Sequence, residues 1–123
     1  MIEPKFKYRG LIMGKPRLTQ RDRWKKRPVV QRYYAFKDEL KLKAKVAGFE
    51  LGEEISCTVF IEMPKSWSKK KRLQMLGTPH KQRADLDNII KAVQDILLLE
   101  DSSVHTYKNV SKVWAEFSGI DFY

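Results

Sequence analysis

The sequence has one cysteine, Cys57, and two histidines, His80 and His105. A lone cysteine excludes an internal disulfide and suits a reducing compartment, and two histidines beside it leave a zinc site short of ligands. Long apolar runs are also missing. The longest, Ile96 to Leu99, falls far short of the roughly 20 residues a membrane-spanning helix needs. The opening MIEPKFKYRG carries no apolar stretch of the kind found in secretory signals, so a cytoplasmic protein with no membrane partner is expected. There is no internal repeat, low-complexity tract or linker, and therefore no expected domain boundary. Acid is scarce relative to base. Fifteen Asp and Glu stand against 25 Lys and Arg, giving a formal net charge of +10 and a pI of 9.8. That balance favours a polyanionic partner, nucleic acid first among them, and says nothing about catalysis.

What is present is enough for a real core. Hydrophobic residues make up 42% of 123, and a chain of this length buries roughly two-thirds of its unfolded surface. KFKYRGLIMG alternates Phe6 and Tyr8 with Lys5, Lys7 and Arg9, as a strand does. The segment from Lys15 to Arg27, bracketed by Pro16 and Pro28, has seven basic residues, one acid and no apolar period, and reads as a long basic loop. QRYYAFKDELKLKAKVAG spaces Tyr33, Phe36, Leu40 and Ala47 for a helix, with Gly48 as its stop. EISCTVFIEMP is the clearest strand, with Ile55, Cys57, Val59, Ile61 and Met63 on one face; Cys57 belongs to that apolar row. SKKKRLQMLG suggests a short basic helix capped by Ser68 and stopped by Gly77, and TPHKQRA a basic loop. The last residues, SVHTYKNVSKVWAEFSGIDFY, suggest one irregular strand or a hairpin. The order strand, helix, strand, short helix, helix, strand predicts an α+β domain over residues 1–123, a small mixed sheet with helices packed on it.

The remaining stretch, RADLDNIIKAVQDILLLEDSSV, gathers Asp85, Asp87, Asp95, Glu100 and Asp101 in an otherwise basic chain. With Asp87 taken as the helix start and N-cap, Leu86, Ile89, Ile90, Val93, Ile96 and Leu97 form the core arc. Asp87, Lys91 and Asp95 project from the opposite side at i, i+4, i+8. One reading is a surface ion-pair ladder, to which Asp95 is assigned. Asp85 has no such role. It lies two residues before Asp87, and two aspartates so close repel each other unless a cation stands between them. Mg²⁺ takes hard oxygen ligands, one or two of them carboxylates, keeps several waters and shares a substrate phosphate. Asp85 and Asp87 are therefore candidate metal ligands for phosphodiester cleavage, with Lys91 offsetting charge on the phosphoryl group. The competing readings are a non-catalytic nucleic-acid-binding protein with an ion-paired helix, and a metal-dependent nuclease acting on other branched DNA or on RNA.

ADLDNIIKAVQDILL followed by EDSSV resembles the RusA family of Holliday junction resolvases, in which an Asp-x-Asp-Asn segment leads into a lysine-bearing helix and a second acidic pair precedes a strand. GKPRLTQRDRW resembles the early Lys-Pro-Arg segment of that family, and Lys112, ahead of Val113 and Trp114, matches a lysine of its last strand region. The resemblance runs from about residue 10 to about 115. It departs at Ala84, where a proline is frequent, at Glu100, where an aspartate is common, and at Ser103, where a glutamine is. It implies a RusA-like fold and a Mg²⁺-dependent endonuclease that recognises four-way junction DNA as a homodimer and nicks two strands symmetrically, in recombination and repair. Carried over by position, the essential carboxylates are Asp85, Asp87 and Asp101, with Lys91 assisting.

A helix from Asp87 to about Leu97 is roughly 15 Å long, and Asp101 lies beyond its far end. Ligands of one Mg²⁺ must all converge to about 2.1 Å from it. The expectation is that Asp101 completes the Asp85 and Asp87 pair of a partner subunit across a two-fold axis. Lys15, Arg17, Arg21, Arg23, Lys25, Lys26, Arg27, Lys81 and Arg83 are the candidate phosphate contacts. Trp24 is open to two readings, a stacking residue at the crossover or part of the fold, whereas Lys69 to Arg72 reads as a solvated helix face.

Overall fold

Alternation in the first strand sets the inner face of the sheet. The computed structural model describes residues 3–17, 27–98 and 101–123, with Asp101 described by its backbone. In β1 (Phe6–Arg9), Phe6 and Tyr8 are buried and Lys7 is exposed. Helix α1 (Pro28–Ala47) follows, and then strands β2 (Glu54–Ile55) and β3 (Cys57–Glu62). Next come α2 (Lys69–Met75), α3 (Leu86–Leu97) and a 3₁₀ turn at Asp101–Ser103. Strands β4 (Thr106–Tyr107), β5 (Ser111–Ala115) and β6 (Gly119–Phe122) complete the chain. The result is an α+β fold with a mixed sheet and packed helices, as the sequence predicts.

The main sheet has the order β1-β6-β3-β5. β6 runs antiparallel to both neighbours, opposing Phe122 to Phe6 and to Cys57, and Ile120 to Tyr8 and to Val59. β5 runs parallel to β3, with Lys112 opposite Val59 and Trp114 opposite Ile61. Residues opposite one another share a face. Phe6, Tyr8, Cys57, Val59, Ile120 and Phe122 thus form one apolar surface, and α1 and α3 cover it with Tyr33, Phe36, Leu40, Ala44, Ile89, Ile90, Val93 and Ile96. Neither the single irregular strand nor the hairpin expected at the end of the chain forms. β3 binds β5 on one side and β6 on the other, so the two last strands are separated by a strand from the middle of the sequence.

Three local expectations are also revised. The strand around Cys57 is interrupted at Ser56, because Glu54 and Ile55 pair with Thr106 and Tyr107 while Cys57 onward joins the main sheet; Ile61 is only partly buried. α1 starts at Pro28, whose missing N–H costs nothing in the first turn, and it buries Ala44 rather than Ala47. Gly48 ends it in the left-handed conformation at φ 68°. TPHKQRA is not a free loop: Pro79 bridges Val113, and the N–H of His80 donates to the carbonyl of Lys112 at 2.9 Å, so this segment edges β5. α2 is as expected, with the Ser68 hydroxyl accepting from the Lys71 N–H at 3.2 Å.

Candidate metal and nucleic-acid site

α3 positions the proposed chemistry. Its apolar residues Ile89, Ile90, Val93 and Ile96 are buried, which turns Asp87 and Lys91 outward to solvent. The helix begins at Leu86, so the N-cap position belongs to Asp85 and not to Asp87. The Asp85 side chain nevertheless makes no capping hydrogen bond. Among the described residues, no hydrogen bond or ion pair engages the side chains of Asp85, Asp87 or Lys91. The ion-pair ladder is therefore not what this helix builds. Asp95 pairs instead with Lys15, Nζ to Oδ2 2.8 Å, across to the N-terminal segment.

That segment straps the helix. Asn88 donates from Nδ2 to the carbonyl of Lys15 at 3.2 Å, and Gly14 is buried where a Cβ would press on the Asn88 amide. Lys15, Pro16 and Arg17 line a hollow with Asn88 and Lys91. On the other side of Lys91 the chain after α3 turns back. Val104, His105, Thr106 and Tyr107 form an open groove of about 590 Å³ with Asp87, Lys91 and Gln94. Lys91 thus stands between two depressions, one floored by the basic strap and one shared with Asp87.

The turn before Asp85 is held from the sheet. Lys112, opposite Val59 on the helix-bearing face, donates from Nζ to the carbonyls of Gln82 at 2.7 Å and Ala84 at 2.5 Å. The Arg83–Ala84 peptide between them is cis. Sequence reasoning met Lys112 only through resemblance. The physical signal was a lysine at an inward parity in VSKVW, between half-buried Val110 and buried Trp114. Gln94 was missed entirely. It is buried, and its Oε1 accepts from the Tyr107 hydroxyl at 2.6 Å.

The basic candidates fall into separate groups. Lys81 and Arg83 are exposed on the approach to Asp85. Arg17 and Arg27 are exposed and tied together, Arg27 Nη2 to the Arg17 carbonyl at 2.8 Å. Arg21, Arg23, Lys25 and Lys26, with Trp24 and Glu100, lie outside the described residues. Asp101 opens the 3₁₀ turn.

Two exposed carboxylates with no partner among the described residues are hard, anionic oxygen donors, the chemistry Mg²⁺ requires. Among the described residues no group of three or more His, Cys, Asp or Glu side chains gathers where it could hold a metal ion. Nor is any helix among them long and apolar enough to cross a membrane.

Residues 12–119 match the family model described as Endodeoxyribonuclease RusA. No curated protein sequence matches the chain.

Proposed function

The chain belongs to the RusA endodeoxyribonuclease family, and on that premise we propose that it is a Mg²⁺-dependent endonuclease that resolves four-way DNA junctions by paired symmetric nicks. The observation that carries this reading is the pair Asp85 and Asp87, two carboxylates at the head of one helix with no partner among the described residues. Leaving like charges together costs free energy unless a cation joins them.

Asp85 and Asp87 would hold the ion, and Asp101 would join them. When bound, Mg²⁺ supplies an activated water and offsets charge on the phosphoryl and leaving oxygens. The remaining work falls to the chain. Lys91 is exposed one turn beyond Asp87, and its ammonium would neutralise charge growing on the scissile phosphate. Lys112 holds the carbonyls of Gln82 and Ala84 and so braces the backbone of the turn that leads into Asp85. Lys81, Arg83, Arg17 and Arg27 would hold the flanking phosphates, with Arg21, Arg23, Lys25 and Lys26 extending that surface. Neutralising about 6–10 phosphates makes binding fall by about 10³–10⁵ between low and moderate salt.

A homodimer fits the reach of the chain. α3 has 12 residues, about 18 Å of helix, and Asp101 comes four residues after its end. Four extended residues return at most about 14 Å. Asp101 of the partner subunit, delivered across a two-fold axis, would complete the pair without that stretch. A heterodimer of one Asp85→Asn chain and one Asp101→Asn chain separates the two arrangements. Completion between subunits leaves one intact site and single nicks, whereas completion within a subunit leaves none.

The reading is tested by incubating the protein with a four-way junction, a linear duplex and an RNA, each with Mg²⁺ or EDTA. Paired nicks on the junction alone, abolished by EDTA, are expected. No cleavage of any substrate, or equal cleavage of the linear duplex, would overturn it.

A further inference from the structure

The groove beside Asp87 contains an aromatic ring that is exposed and yet held in place. Tyr107 is 57% exposed, but its hydroxyl points inward to Gln94 Oε1 at 2.6 Å. Gln94 is buried at 8% exposure, so losing that bond leaves a buried amide oxygen without its partner. The backbone is held too. Tyr107 pairs with Ile55 in the parallel β2–β4 ladder, and the N–H of Lys108 donates to the Ile55 carbonyl at 2.7 Å. A tyrosine at a surface ordinarily keeps its hydroxyl in water and lays its ring on the protein. Here the arrangement is reversed, with the polar end anchored and much of the ring open to the groove.

That groove also contains Asp87 and Lys91, the carboxylate and the ammonium assigned to the scissile phosphate. Its volume of about 590 Å³ lies within the ~300–1,000 Å³ typical of small-ligand clefts. A fixed aromatic face one groove-width from a phosphate site has the chemistry of a nucleobase platform, because every base has a π-face and a rigid ring loses little entropy on stacking. We infer that Tyr107 receives the base of a nucleotide flanking the scissile phosphate. The inference rests on the nuclease reading above and deepens it. Bases inside a continuous duplex already have both faces stacked on their neighbours, so the platform can be used only where the stack is broken, as at a branch point or an unpaired nucleotide. Tyr107 is then a binding residue through which the site distinguishes branched from linear DNA.

The test is single-turnover cleavage of junctions in which each of the two nucleotides flanking the cut is made abasic in turn, by wild type, Tyr107→Phe, Tyr107→Leu and Tyr107→Ala. Removing one of the two bases should slow the wild type by about 5- to 150-fold, the range expected of one lost stacking contact. Tyr107→Leu and Tyr107→Ala should be slowed similarly on the intact junction and lose nothing more on that abasic one. Tyr107→Phe, which keeps the ring but loses its tether to Gln94, should fall between wild type and Tyr107→Leu on the intact junction and, unlike Tyr107→Leu, still slow further on that abasic one. Wild type indifferent to both abasic positions overturns the inference and leaves the nuclease reading standing. So does an equal Tyr107→Leu defect on intact and abasic junctions alike in a wild type that does respond, since the losses are then independent. A wild type that cuts no junction overturns the nuclease reading and the platform with it.

Discussion

The ammonium of Lys112 and the carbonyl oxygen of Ala84 are 2.5 Å apart, which ties the edge strand of the sheet to the residue immediately before Asp85. A second bond from the same ammonium, to the Gln82 carbonyl, closes the turn over the cis Arg83–Ala84 peptide. Groups that orient a metal ligand without touching the metal influence affinity, and their loss costs about 10–100-fold. Lys112→Met should raise the Mg²⁺ concentration for half-maximal cleavage by that factor, with a smaller effect on the rate at saturating Mg²⁺. Lys112→Arg, which retains cationic donors, should recover part of it. A rate loss that saturating Mg²⁺ does not restore would assign Lys112 to the fold alone.

Gly119 meets the backbone of β1 with no room for a side chain. It sits opposite Arg9 in the antiparallel ladder, and a Cβ there would fall inside contact distance of the Tyr8 carbonyl oxygen. Backbone cannot swing aside as a side-chain end can. Gly119→Ala is expected to destabilise the fold by about 1–3 kcal/mol, measured by urea unfolding at constant m-value. Gly52→Ala, where a Cβ meets nothing within 4 Å, is the control and should change stability little.

His80 is a buried imidazole 4.2 Å from the Trp114 ring centroid, and its Nδ1 has no hydrogen-bond partner among the described residues. Burial, together with the nearby Lys112 ammonium, lowers its pKa from the ordinary value of 6.5. The unfolded chain therefore binds the proton at a pH where the fold does not. His80 contributes full stability above about pH 6.5, and the contribution is lost as the pH falls through the depressed folded value. The melting temperature of the wild type should drop more between pH 7.5 and pH 5 than that of His80→Gln. Equal drops would remove His80 from the acid sensitivity.

Much of this architecture is local, and what is local was legible. Phe6 and Tyr8, or Cys57 and Val59, alternate because one face of their strand is dry. Tyr33, Phe36 and Leu40 recur at helical spacing for the same reason, and Gly48 ends α1 because it accepts a positive φ. What could not be read is pairing between distant segments. Nothing within GIDF says that it lies between KYR and TVF, so one irregular strand or a hairpin was all that the end of the chain suggested. Gln94 was not singled out because its partner, Tyr107, is 13 positions away. Asp85 and Asp87 were legible as a pair whose repulsion needs an explanation. The N-cap fell two residues earlier than expected because Leu86 already enters the helix. Asp95 was legible as an ion-pair residue, but its partner was not. Lys15 reaches it only because Gly14 lets the strap approach Asn88 closely.

The central claim is that Asp85 and Asp87 are kept close to bind a divalent ion against a DNA phosphate. Asp85→Asn tests it most directly, because the Asp85 side chain makes no capping bond whose loss would unfold the helix. The measurement is junction affinity and single-turnover cleavage of the same preparation at saturating Mg²⁺. The account predicts affinity unchanged or slightly tighter and cleavage reduced by about 10²-fold or more. Cleavage at the wild-type rate would contradict it.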